Sequence, residues 1–91
     1  DIMNLNDLQH KLTDLIENLT EENYQEHFKA GYHLIVDHKR NGGEQQETYD
    51  KLLPLFSHYQ DINEQKCALI GDWLDCICGY VGNKEWYVWS E

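Results

Sequence analysis

Basic residues are scarce in this chain: Lys and Arg together number 7, against 17 Asp and Glu, giving a formal charge of −10 over 91 residues. That sign argues against nucleic-acid binding, because phosphate contacts need clustered cations and the only adjacent pair is Lys39-Arg40. It equally weakens binding to an anionic membrane surface. No apolar run approaches the roughly 18–20 residues needed to cross a bilayer. The N-terminus shows no charged, then apolar, then small-residue leader. Asp1 and Ile2 read instead as residues left from cloning ahead of a native Met3, so that 3–91 is expected to be a single helical domain. Cysteine occurs 3 times, an odd count, with Cys76 and Cys78 one residue apart. That is a poor disulfide framework and fits a reducing, cytoplasmic setting. Proline occurs once, at Pro54.

What is present is helical periodicity. Leu5, Leu8, Leu12, Leu15, Ile16 and Leu19 recur at three- and four-residue steps and share one apolar stripe, with Asn4 or Asn6 as the cap. Thr20 can cap a second helix, with Glu21 and Glu22 in its first turn. Its apolar face carries Tyr24, Phe28, Gly31, Ile35 and His38, and Asn41-Gly42-Gly43 stops it. A third helix, from about Glu44 to Tyr59, buries Tyr49, Leu52, Leu53 and Phe56. Pro54 predicts a kink there, or two short helices meeting at Leu53-Pro54. A fourth, from about Asn63 to Tyr80, buries Leu69, Ile70, Trp73, Cys76, Ile77 and Tyr80, and Gly82-Asn83 ends it. Trp86 to Trp89 is too short for a helix and reads as a strand or an extended segment laid across the bundle. The expected fold is all-α: one antiparallel bundle of about four helices with an extended aromatic C-terminal segment.

Catalytic and metal chemistry finds little footing. A helical zinc site wants two ligands one turn apart with others converging, but His27 and His38 lie three turns apart and His33 points elsewhere. Solvated or edge-of-core imidazoles are the simpler reading. On a helix Cys76 and Cys78 point about 160° apart, and no second pair completes four ligands. Packing for Cys76 and a partly exposed thiol for Cys78 follow. Asn41-Gly42-Gly43 follows a helix and lacks the lysine of a phosphate loop. Glu21-Glu22 reads as helix-start charge, and no nucleophile, base and orienting group assemble. The expectation is a protein without enzymatic activity and without a cofactor or metal.

One constellation points outward. Ala68, Gly71, Asp72, Asp75 and Gly79 share the side of the fourth helix that faces away from the core. Small residues let another surface approach closely, and aspartates nearly a turn apart present paired acceptors to Arg or Lys. Glu85, Trp86, Tyr87, Trp89 and Glu91 follow, a composition of aromatic anchors beside a charged rim. The bland alternative is that the small residues seat a neighbouring helix and the aromatics cap the core. Acidic edges on the second helix (Glu21, Glu22, Glu26) and the third (Glu44, Glu47, Asp50) compete for the same role.

The stretch from Gly71 to Gly82, with Glu85-Trp86 after it, resembles the inhibitory-helix region of the barstar family, small acidic inhibitors of a basic ribonuclease. The Tyr-Gly and Asn that precede that family's helix are absent, and its parallel sheet is not encoded. In size, charge and helical pattern the whole chain is similar to the small acidic immunity proteins of bacterial toxin systems, of the colicin or contact-dependent growth inhibition type. That resemblance implies a cytoplasmic protein that neutralises a cationic toxin domain, a nuclease, by occlusion. Asp72, Asp75 and Glu85 would pair with its basic residues, and Trp86, Tyr87 and Trp89 would supply desolvated contact area. The alternatives are a phage-type inhibitor or nucleic-acid mimic of a host DNA-binding enzyme, and an oligomeric adaptor that dimerises through the small face.

Overall fold

The computed structural model describes residues 4–90; the expectations for Asp1, Ile2 and Met3, and Glu91, lie outside the described residues. Among the described residues four α-helices make the fold: α1 (Leu5–Glu17), α2 (Tyr24–Arg40), α3 (Gln45–Tyr59) and α4 (Glu64–Cys78). No strand occurs among the described residues. Side-chain contacts set their directions. The His27 ring meets the Leu15 carbonyl, so α1 and α2 form an antiparallel hairpin. Phe56 lies beside Cys67 while Gln45 reaches the carbonyl of Ile77, so α3 and α4 form a second one. The hairpins stack with α2 on α4 and α1 on α3. The Cα radius of gyration, 12.2 Å, equals what a packed chain of this length should have, about 12 Å.

The caps explain where the helices begin. Asn4 accepts from the Asp7 N–H at 2.8 Å and Asn63 from the Lys66 N–H at 3.0 Å, each satisfying a donor the first turn leaves orphaned. Thr20 does not cap α2. Its N–H donates to the Asn23 side chain at 2.7 Å while its hydroxyl accepts from the Asn23 N–H at 3.2 Å. This reciprocal pair closes a separate turn around Glu21 and Glu22, and α2 starts only at Tyr24.

Leu8, Leu12 and Ile16 of α1, Ile35 of α2, Leu52 of α3 and Leu69, Ile70, Trp73 and Ile77 of α4 form the dry centre. Trp73 is fully buried, and its indole N–H donates to the Phe28 carbonyl at 3.1 Å. A Cβ on Gly31 would fall 2.2 Å from that indole, so only glycine lets α2 pass over the ring.

The structure corrects further expectations. α3 runs unbroken through Pro54, so there is no junction of two short helices. Pro54 is exposed, where its ring and missing donor meet solvent; Leu53 beside it is also exposed, and the buried place goes to Thr48, whose hydroxyl donates to the Glu44 carbonyl. α4 stops at Cys78 rather than Tyr80, because Gly79 adopts φ 90° and ends the helix in the left-handed region three residues before Gly82. Tyr80, expected in the core, is therefore thrown outward and is 83% exposed. The C-terminal segment is laid across the bundle without a strand. It makes a 3-10 turn at Lys84–Trp86, after which the Val88 N–H donates to the Cys76 carbonyl at 3.0 Å.

Candidate functional site

Gly79 redirects the chain so that the segment after α4 runs back over α2. There Trp86 packs at 5.4 Å from the Phe28 ring and 4.8 Å from the Tyr32 ring, and the Tyr32 hydroxyl donates to the Glu85 carbonyl at 3.1 Å. This aromatic cluster forms one wall of a surface groove, and α4 forms the other. Asp72, Asp75, Tyr80 and Gln25 line it with Phe28 and Trp86, and no lysine or arginine does.

Asp72 is exposed at the groove, yet its carboxylate is held: Tyr24 donates to Oδ2 at 2.7 Å, tying the start of α2 to α4. Partial burial and that bond to a carboxylate raise the Tyr24 phenol well above its ordinary range, so it stays a donor. Asp75, nearly one turn on, is half-buried. Desolvation, and then the neighbouring Asp72 charge, push its pKa up, and no cation of the fold pulls it back. Beneath both, burial pushes the Cys76 thiol up to about 12, with the two aspartates adding to the effect. That thiol is packing, not a nucleophile.

The six residues singled out from the sequence thus divide. Asp72, Asp75 and Trp86 meet in one groove, with Glu85 exposed beside it. Tyr87 and Trp89 lie elsewhere. Tyr87 covers Gly79, where a Cβ would meet its ring at 2.9 Å, and its hydroxyl accepts from the Gln45 side chain at 3.1 Å. Trp89 donates to the Gly43 carbonyl at 3.3 Å, at the turn between α2 and α3. These two hold the C-terminal segment down. The glycines of the outward face are filled likewise: Gly71 takes the Phe56 ring and Gly79 takes Tyr87. Close approach is used up within the chain, which leaves the carboxylates as what that face offers to others.

Sequence reasoning missed Tyr24, Gln25, Phe28 and Tyr80 as groove residues. Tyr24 and Phe28 carry apolar-face spacing and read as core, although a Tyr at the margin of such a face signals that its hydroxyl needs a partner. Tyr80 was misplaced with the end of α4. The remaining titratable groups do not assemble: among the described residues no three of His, Cys, Asp and Glu come together as a metal-holding group, and the cysteines are unpaired. Among the described residues no helix is long and apolar enough to cross a membrane. Comparison with known protein families, curated proteins and solved structures returned no match.

Proposed function

We propose that this protein binds and neutralises a basic protein, in the manner of the immunity proteins of bacterial toxin systems, with a cationic nuclease toxin as the target. The carrying observation is that Asp72, Asp75 and Trp86, drawn from two separate segments, line one groove that contains no basic residue. A formal charge of −10 adds long-range attraction for a cationic target and repulsion from nucleic acid, so the protein competes for the surface that would hold phosphates. The carboxylates pair with that surface's cations, and the aromatic wall excludes water around them. Three unpaired cysteines suit a reducing compartment, and the cytoplasm is where such a target would have to be stopped.

Affinity capture from the native host, with the wild type and an Asp72→Lys/Asp75→Lys variant as bait, tests the reading. A basic protein recovered at low salt, released at high salt and lost with the variant is the expected result, together with loss of its nuclease activity when the wild type is added. Recovery of no basic protein at low salt would overturn the reading. Equal capture by the variant would move the interface to the acidic edges of α2 or α3.

A further inference from the structure

We infer that the groove between α4 and the Trp86 cluster takes an arginine side chain of the partner, in preference to lysine. The inference rests on the reading above and narrows it from a cationic surface to one residue type. Three observations carry it. The first is charge: Asp72 and Asp75 line the groove without a basic residue, in a chain of formal charge −10. The second is the aromatic lining: Phe28 and Trp86 form a wall with ring centroids 5.4 Å apart, and Tyr80 on the same groove is 83% exposed. Exposing an aromatic this large forgoes burial that the fold could have used, and its face is left for a visitor. The third is preorganisation: the Tyr24 hydroxyl holds Asp72 Oδ2 at 2.7 Å, so that carboxylate loses little rotamer freedom when it captures a donor.

A guanidinium satisfies all three together. It is planar, it presents parallel N–H donors to carboxylates, and its face stacks on an aromatic ring. An ammonium meets the charge and is drawn to the rings as well, but it is a strongly hydrated point donor that neither bridges a carboxylate with parallel bonds nor stacks flat on an aromatic face. A neutral apolar side chain would cover two carboxylates with no countercharge, which costs more than the aromatic contact returns. Arginine is therefore the occupant the lining selects.

Titration with two capped peptides, acetyl-Gly-Arg-Gly-amide and acetyl-Gly-Lys-Gly-amide, followed by NMR, separates this selection from general attraction to an acidic protein. Both carry one charge, so the diffuse component is shared. The expected result is that the arginine peptide binds about two- to fivefold tighter and shifts the Trp86 indole N–H and the amides from Asp72 to Tyr80 most. Tyr80→Ala, at an exposed position outside the core, should abolish the preference while leaving the fold intact. Asp72→Asn/Asp75→Asn should abolish it as well. Equal affinities of the two peptides, or shifts spread over every acidic edge, would overturn the inference while leaving capture of a basic protein to be decided by the experiment above. Retention of the preference in Tyr80→Ala and in the double Asn variant would overturn it too.

Discussion

At the scale of single residues, the chain keeps two positions where one atom decides much. Gly31 exists for Trp73. Alanine would gain about 1 kcal/mol of helix propensity, but its Cβ would stand 2.2 Å from a fully buried indole that is itself pinned to the Phe28 carbonyl. Overpacking of this kind costs typically 1–3 kcal/mol, and more where the neighbour cannot yield. With the indole pinned the upper end of that range applies, and less the propensity gain Gly31→Ala should lower stability by about 2 kcal/mol net in urea unfolding followed by circular dichroism; an unchanged midpoint would mean Trp73 has another place to go. Asp75 is the opposite case, a residue the fold would be better without. Its folded pKa is raised above the ordinary value of 3.8 by desolvation and by Asp72. Between those two values the folded state binds more protons than the unfolded one, so this group favours folding in acid and its contribution is lost as pH rises through the folded pKa. Asparagine mimics the protonated form. Asp75→Asn should match the wild type below the unfolded pKa and melt about 2–4 °C higher at neutral pH, a gap that thermal melts across pH 3–7 would reveal. On the proposed reading, such a carboxylate is kept at a cost to the fold because a basic partner would pair with it.

At the scale of elements, the helices were legible because their signals are local and redundant. Leu8, Leu12 and Ile16 repeat at helical spacing, Asn4 and Asn63 stand where caps belong, and Asn41-Gly42 stops α2 where it was expected, with Gly42 at φ 93°. What failed was non-local. α4 stops at Gly79 rather than Gly82, and Tyr87 packs over that glycine, a contact between segments that no periodicity encodes. The misplacement of Tyr80 followed from that single choice. The groove was half legible for the same reason: Asp72 and Asp75 share a helix face, whereas Tyr24 and Phe28 join them only through the stacking of α2 on α4. Pro54 was recognised as a disturbance, but its tolerance was not, since that depends on its facing solvent. Within α3 it still removes one backbone donor. Pro54→Ala should restore that bond and raise stability by about 1–3 kcal/mol. A fall in melting temperature instead would mean that the Pro54 ring itself is needed to hold α3 on the path that seats Leu52 and Phe56 against α4.

At the scale of the whole molecule, the charge acts on folding and on capture in opposite directions, and one variable separates them. A formal charge of −10 within a body of 12.2 Å radius of gyration repels itself, so the folded state is penalised over the expanded chain. Salt shortens the Debye length from about 10 Å at 0.1 M to about 3 Å at 1 M, less than the spacing of most surface charges. Raising sodium chloride over that range should therefore raise the melting temperature of the free protein. The same screening removes the field that draws a cationic partner in, so the association rate should fall steeply, by about 10-fold or more, while dissociation changes far less. Stopped-flow association and thermal melts on the same salt series test both slopes. A chain whose acidity serves only solubility would show the stability slope and no steep association slope with any basic partner. A surface selected for capture gives both, with opposite sign, because the repulsion that weakens the free fold is the field that the partner's cations relieve on docking.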